Sequence, residues 1–276
     1  MLPGPDVKQI SSRHHRLVAE CRALASGKSE HLLLDGLHLV SEAIAADVQL
    51  SQVIVAARSL NRPEVQALVG LVTRRGVPVV AASPSVMAAV SPVRSPSEVV
   101  AIAARPPADL HRVFAGRAPL IVVLADVQDP GNVGAVARVA EAGGAAGLLV
   151  TGRSADPFGW KALRGSTGSA LRLPIAVEKD PCLALQQAQQ RGCRLVAMLA
   201  SGGRPASDID LRGAVALIVG GEGTGLAPAL TMRADERVTI PMIPPVESLN
   251  VAVAAALVIY EARRQRLAVG ASCATH

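Results

Sequence analysis

Three stretches of the 276-residue chain gather residue types that can do chemistry together. In the first, LADVQDPGNVGAVARVAEAGG at residues 124–144, Pro130 and Gly131 break an apolar run. Asn132 is placed to cap the helix that follows, and Arg138 is the one arginine in a helix of small residues. In the second, VGGEGTGL at residues 219–226, clustered glycines let backbone approach a ligand closely and leave N–H groups to bind it. Glu222 sets a carboxylate among them. In the third, IPMIPPVESLNVAVAAALVIYEARRQR at residues 240–266, a strand runs into a proline-stiffened loop, after which Ser248 and Asn250 open a long apolar helix. Ser248 serves either as that helix's cap or as a ligand contact, while Asn250, a poor helix former in the first turn, offers an amide to a ligand.

Familiar phosphate loops do not account for the second stretch. Gly221 and Gly223 supply the first two glycines of a dinucleotide fingerprint, but Leu226 occupies the third place, which disfavours a nicotinamide-dependent dehydrogenase. No Gly-Lys-Ser/Thr follows, so it is not a P-loop. Taken alone, Arg138 reads as a solvated side chain and Glu222 equally as a turn residue.

The elements that must position these loops are legible in the hydrophobic pattern. Residues 119–126, 146–152, 171–177, 193–200, 214–223 and 236–242 are short, Leu-rich or β-branched runs separated by helical stretches such as 133–142 and 181–191. Near-continuous apolar strands alternating with helices predict a mostly parallel sheet covered on both faces, with ligands beyond the carboxyl ends of its strands. The loops after Leu124, Val150, Val219 and Ile240 are therefore the expected site. Residues 1–105 alternate helical and strand patterns as a smaller α/β domain. A proline-bearing linker is expected at 106–116, and the larger domain at 117–276. The apolar run at residues 251–259 is too short to span a bilayer and predicts a buried helix.

Composition bounds the partners. A formal charge of +6, shared evenly between the two halves, favours a polyanion. Residues 8–28 hold the densest basic run, with Arg13, Arg16, Arg22 and Lys28 as RNA contacts or as one solvated face. With Phe114, Phe158, Trp160 and Tyr260 as the whole aromatic set, nucleic-acid recognition cannot lean on base stacking by rings. The four cysteines are scattered without a CxxC pair, so no metal site or disulfide framework is expected. With no signal peptide pattern, the expected location is cytoplasmic.

The order of the three motifs resembles the SpoU/TrmH family of RNA ribose 2′-O-methyltransferases, of the SPOUT class, over residues 119–267. The matching stretches are Asp129-Pro130-Gly131-Asn132-Val133-Gly134 through Arg138, Gly220-Gly221-Glu222-Gly223-Thr224-Gly225-Leu226, and Ile240-Pro241-Met242 through Ser248-Leu249-Asn250-Val251. HLLLDGLHLVSEAI, at residues 31–44, looks like the ribosomal-protein-like RNA-binding domain that precedes the catalytic domain in many members. KALRGSTGSALRLPI, at residues 161–175, is similar to a stretch of the rRNA-modifying branch, which adds Lys161 and Arg164 as RNA contacts.

The resemblance implies a C-terminal trefoil knot, an exception to the unknotted rule, and a homodimer with catalytic groups contributed across its interface. S-adenosylmethionine is expected against Thr151, Gly152, Val219, Gly220, Glu222, Ile240, Met242, Ser248, Leu249 and Asn250. Asn132, Arg138, Glu222, Ser248 and Asn250 are the expected catalytic set. The implied substrate is ribosomal RNA, 23S foremost. The alternatives are a tRNA substrate, or a non-catalytic RNA-binding protein of ribosome assembly. Pro244-Pro245 depart from relatives that carry glycine in that loop, which fixes the loop's shape and removes two donors.

Overall fold

The computed structural model describes residues 7–27, 29–223 and 225–273. It divides into two compact units. One holds the described residues up to Pro106 together with Phe158–Leu171, and the other holds Pro107–Pro157 and the chain from Arg172 onward.

The first unit runs β1 (Lys8–Ile10), α1 (Arg16–Ser26), β2 (His31–Asp35), α2 (Leu37–Ala45), β3 (Leu50–Ala56), α3 (Pro63–Arg74), β4 (Val79–Ala82), α4 (Pro84–Val90) and β5 (Val99–Ala104). Its sheet order is β1-β4-β3-β5-β2. The β1–β4 and β3–β4 pairs are parallel, whereas β5 runs antiparallel to β2 and β3. Ile54, Val100 and Ile102 of this sheet pack with Leu17, Val18, Val86 and Met87 of the helices. Cys21 lies fully buried in the same core, where burial first of all pushes its thiol up to about 12.

The second unit opens with α5 (Leu110–Val113), β6 (Leu120–Ala125), α6 (Pro130–Gly143) and β7 (Gly147–Thr151). The excursion α7 (Trp160–Ser166) and α8 (Ser169–Arg172) follows, most of it belonging to the first unit. The chain continues as β8 (Ile175–Glu178), α9 (Pro181–Gln190), β9 (Arg194–Met198), β10 (Arg204–Pro205), β11 (Val215–Gly220), α10 (Pro228–Arg233), β12 (Glu236–Thr239) and α11 (Val251–Cys273). The sheet order is β10-β12-β9-β11-β6-β7-β8, and every pairing is parallel. All six residues of β6 are buried, as a central strand covered on both faces requires.

Three local expectations need correction. The segment expected as a linker contains α5, capped by the Asp109 carboxylate, and Val113 and Phe114 are buried in the core of the second unit. Its apolar side chains, rather than its prolines, decide its place. Asp129, not Asn132, caps α6: its carboxylate accepts from the Asn132 N–H at 2.9 Å, with Pro130 at the first helical position. The apolar α11 is buried on one side only. Ala255, Val258, Ile259 and Ala262 face the core, while Val253, Leu257 and Tyr260 are about half exposed, since nothing among the described residues covers that side.

The small residues of α6 receive α11. A Cβ at Gly143 would stand 2.2 Å from the Ile259 Cγ2, so only glycine admits this approach. Farther along α11, Arg266 donates to the carbonyls of Leu211, Ala118 and Gly213 at 2.9, 2.6 and 2.6 Å, and burial lowers its pKa below the ordinary guanidinium value. Gln265 bonds both ways with the segment at Ile209 and Leu211. The Arg264 guanidinium, hydrogen-bonded to Glu261, holds that carboxyl below its usual range. These bonds fix the helix whose first turn enters the site. Among the described residues no helix is long and apolar enough to cross a membrane.

Candidate active site

The carboxyl ends of β9, β11 and β12 open on one side of the sheet, and α11 begins above them. Between these elements lies a cavity of about 400 Å³, a size suited to a nucleoside-bearing small molecule. Val219, Gly220 and Glu222 line it from the end of β11, and Ile240 and Met242 from the end of β12. Ser248, Leu249 and Asn250 line it from the turn before α11.

Backbone geometry explains the glycines. A Cβ at Gly221 would stand 2.2 Å from the Asp126 carbonyl oxygen, so the β11 loop can lie against the end of β6 only without a side chain there. The loop then closes on itself, the Gly225 N–H donating to the Gly221 carbonyl at 3.1 Å.

A polar chain joins the three motifs. The Asn132 side-chain amide donates to the Glu222 carboxylate. The Asn250 amide donates to the Asn132 Oδ1 at 3.1 Å, and the Asn250 Oδ1 accepts from the N–H groups of Ala252 and Val253 at 2.9 and 3.3 Å. A carboxylate only accepts, so Glu222 fixes which end of Asn132 faces it, and Asn132 in turn fixes Asn250. Asn250 is therefore the N-cap of α11 and a site residue at once, correcting both its expected place inside the first turn and the reading of Ser248 as the cap.

Other expected residues lie elsewhere. Thr151 ends β7 and Gly152 follows it; β6 separates this strand from β11, and neither residue lines the cavity. Among the described residues the buried Thr151 hydroxyl has no hydrogen-bond partner, and Gly152 packs so tightly on Asp126 that a Cβ would stand 2.6 Å from its carboxylate. Asn132 reaches the site through its hydrogen bonds rather than as cavity wall. Arg138 sits on the exposed face of α6, about 120° around and roughly 9 Å along the axis from Asn132, and does not line the cavity. Met198, Leu199 and Ala200 do line it, although no motif drew attention to them. Their signal was the carboxyl end of a strand followed by Ser-Gly-Gly.

Among the basic candidates, Arg13 and Arg16 are exposed, and Lys28 lies outside the described residues, as does Thr224 of the glycine loop. Arg22 donates to the Ala89 carbonyl at 3.3 Å, tying α1 to α4. Lys161 stands over the Trp160 ring at 5.5 Å. Arg164 is paired at 3.2 Å with Asp35, whose side chain is 1% exposed, so the first duty of this guanidinium is structural. Among the described residues no group of three or more His, Cys, Asp or Glu is placed to hold a metal.

Comparison with known proteins gives this arrangement a context. Residues 119–260 match the model of the SpoU rRNA Methylase family, and residues 22–101 match the MRM3-like substrate binding domain. An uncharacterized tRNA/rRNA methyltransferase of Synechocystis is 32% identical over 267 residues, 95% of this chain and 96% of the relative. The 23S rRNA (guanosine(2553)-2′-O)-methyltransferase of Bacillus subtilis is 29% identical over 93% of this chain and its own full length. The crystal structure of the SpoU methyltransferase AviRb from Streptomyces viridochromogenes, in complex with the cofactor AdoMet, superposes with a TM-score of 0.85 at 28% identity, covering 92% of this chain and 99% of that one. With the glycine loop, the Glu222–Asn132–Asn250 chain and the α11 turn closing one cavity, the chain belongs to the SpoU family of S-adenosylmethionine-dependent RNA methyltransferases.

Proposed function

We propose that the protein methylates a ribose 2′-hydroxyl of 23S ribosomal RNA, with the cavity at β9, β11 and β12 as its S-adenosylmethionine site. The observation that carries the reading is the Glu222–Asn132–Asn250 chain, which draws three motifs distant in sequence to one cavity. The donor set suits the cofactor. Val219, Ile240, Met242 and Leu249 offer apolar walls to an adenine ring and a methionine chain, and the exposed Glu222 offers acceptors to ribose hydroxyls. A ribosomal target is supported by the Bacillus subtilis relative, which matches along its full length and is named for 23S rRNA.

When bound, the cofactor supplies an electrophilic methyl group on a sulfonium. The protein's task is then to align the 2′-hydroxyl and to stabilise charge on its oxygen as the proton departs to solvent. Arg138 is assigned that second role. Because a guanidinium carries no proton it can readily give up and no acceptor, Arg138 acts as a charge-assisted donor to the developing alkoxide and a neighbouring phosphate rather than as a base. Asn132, Glu222, Ser248 and Asn250 position cofactor and ribose.

Because Arg138 lies off the cavity wall of its own chain, we assign it to the cavity of a second copy in a homodimer, with the C-terminal region knotted as in the family. The half-exposed stripe of Val253, Leu257 and Tyr260 runs along the helix whose first turn lines the cavity, and the exposed Ile243 and Val246 lie in the loop before it. A self-association face of this kind keeps apolar side chains from water. In sedimentation equilibrium Leu257→Asp is expected to yield monomers that have lost methyl transfer. A variant that remains dimeric overturns this face.

The function itself is tested by incubating the protein with labelled S-adenosylmethionine and unmethylated 23S transcript, then mapping the label. Label at a single ribose 2′-oxygen is expected, with Arg138→Lys slowed about a hundredfold at saturating RNA because lysine lacks the planar fork. Label only on bases, or none, overturns the reading. Near-normal turnover in Arg138→Lys overturns the guanidinium's role.

A further inference from the structure

The first unit contains a second cavity, of about 240 Å³, that none of the three motifs touches. It opens at the carboxyl ends of the parallel neighbours β3 and β4, bounded by Ala56 and Ala82 where the strands end and by Pro84 and Met87 of α4. Pro96 and Ser97 close it from the loop before β5, and Arg58 stands at its rim. Ala56, Ala82 and Met87 are buried and form an apolar floor. Among the described residues Arg58 is exposed and no hydrogen bond or ion pair engages it.

We propose that this cavity receives one unstacked base of the RNA substrate, with Arg58 over the base or on its phosphate, and that it thereby selects the target strand. The proposal rests on the reading of the protein as an RNA methyltransferase. The volume is too small for a dinucleotide-sized ligand and suits a single planar ring system. A Met thioether and proline rings make favourable contact with an aromatic face. The guanidinium plane of arginine substitutes for an aromatic side chain, which matters where rings are scarce: in this unit Phe158 is covered by Arg105 and Trp160 by Lys161. The Ser97 hydroxyl already donates to Asp35 at 3.0 Å, so its remaining lone pair can accept from a base amino group. The local charge favours an anion. Arg58, Arg62 and the exposed Arg94 of the loop before β5 stand against Glu64 and Glu98, both held by Arg62, which leaves a positive excess of one charge.

The chain's five methionines make the test selective. In full-length protein labelled at the methionine methyl groups, Met87 reports this cavity, while Met198 and Met242 report the cofactor cavity. AMP, GMP, CMP, UMP and inorganic phosphate are titrated separately and followed by NMR. At least one nucleotide is expected to shift Met87 saturably, with phosphate alone leaving it in place. Ala57 also lines the cavity, and filling it by Ala57→Leu, or removing the rim cation by Arg58→Ala, abolishes that shift. Arg58→Ala also raises KM for RNA about tenfold with kcat unchanged. The proposal is overturned if no nucleotide moves Met87, if phosphate moves it equally, or if the shift survives Ala57→Leu. S-adenosylmethionine serves as the internal control: its shifts at Met198 and Met242, and methyl transfer to RNA, report on the enzymatic reading separately, whatever happens at Met87.

Discussion

Two carboxylates in this protein each hold together distant segments, and they do so in opposite ways. Asp35, at the end of β2, accepts from Ser91 at 2.8 Å, Ser97 at 3.0 Å and Arg164 at 3.2 Å, with its side chain 1% exposed. Glu222 accepts from Asn132 and otherwise faces outward. The first network uses the carboxylate's acceptors on the protein itself, so it specifies packing and leaves nothing for a ligand. The second ends in acceptors that remain available, as a binding site requires. Equal residue types thus serve structure or function according to how many of their bonds the fold consumes.

This contrast can be broken experimentally. The largest effect is expected at Gly221→Ala, where the added Cβ collides with the Asp126 backbone and displaces the glycine loop. Calorimetry should show S-adenosylmethionine affinity reduced more than about a hundredfold, with the circular-dichroism melt of the first unit unchanged. Next, Asp35→Ala leaves Arg164, Ser91 and Ser97 without their common acceptor and is expected to cost about 3 kcal/mol in urea unfolding while cofactor affinity holds. A loss of cofactor affinity without loss of stability would invert the assignment of the two networks. The smallest effect is expected at Asn132→Ala, about a 30-fold fall in kcat at preserved stability, since the amide orients Glu222 and Asn250 rather than packing a core. Asn132→Asp sharpens the point: like charges against Glu222 should lower kcat further although size is conserved.

The second unit was more legible in the sequence than the details of its site. Its strands are apolar runs bounded by turn residues, and the helical stretches between them marked α6 and α9. The carboxyl-end rule led to the β11 and β12 loops that line the cavity, yet it also led to the loop after Val150, where Thr151 and Gly152, the contacts implied by the resemblance, do not line it. The rule specifies an edge of the sheet. Which strands share a pocket depends on strand order, and here β6 comes between β7 and β11. Helix caps failed for a similar reason: Asp129, Asn132, Ser248 and Asn250 are all competent caps, and only backbone direction decides which ones accept from the first N–H groups. The short β1 escaped notice because three residues carry too little pattern, and α11 looked wholly buried because composition cannot tell which side has a neighbour.

By itself the sequence determined the alternation of apolar strands with helices, the glycines that permit close backbone contact and the order of three motifs, because these are local properties of side chains and backbone. Only the tertiary structure decided that Glu222, Asn132 and Asn250 meet, that Asp35 closes on Arg164, and that Arg138 stands off the cavity of its own chain. Such pairings span tens to more than a hundred residues, and their geometry is set by strand order and helix packing, which no local pattern encodes.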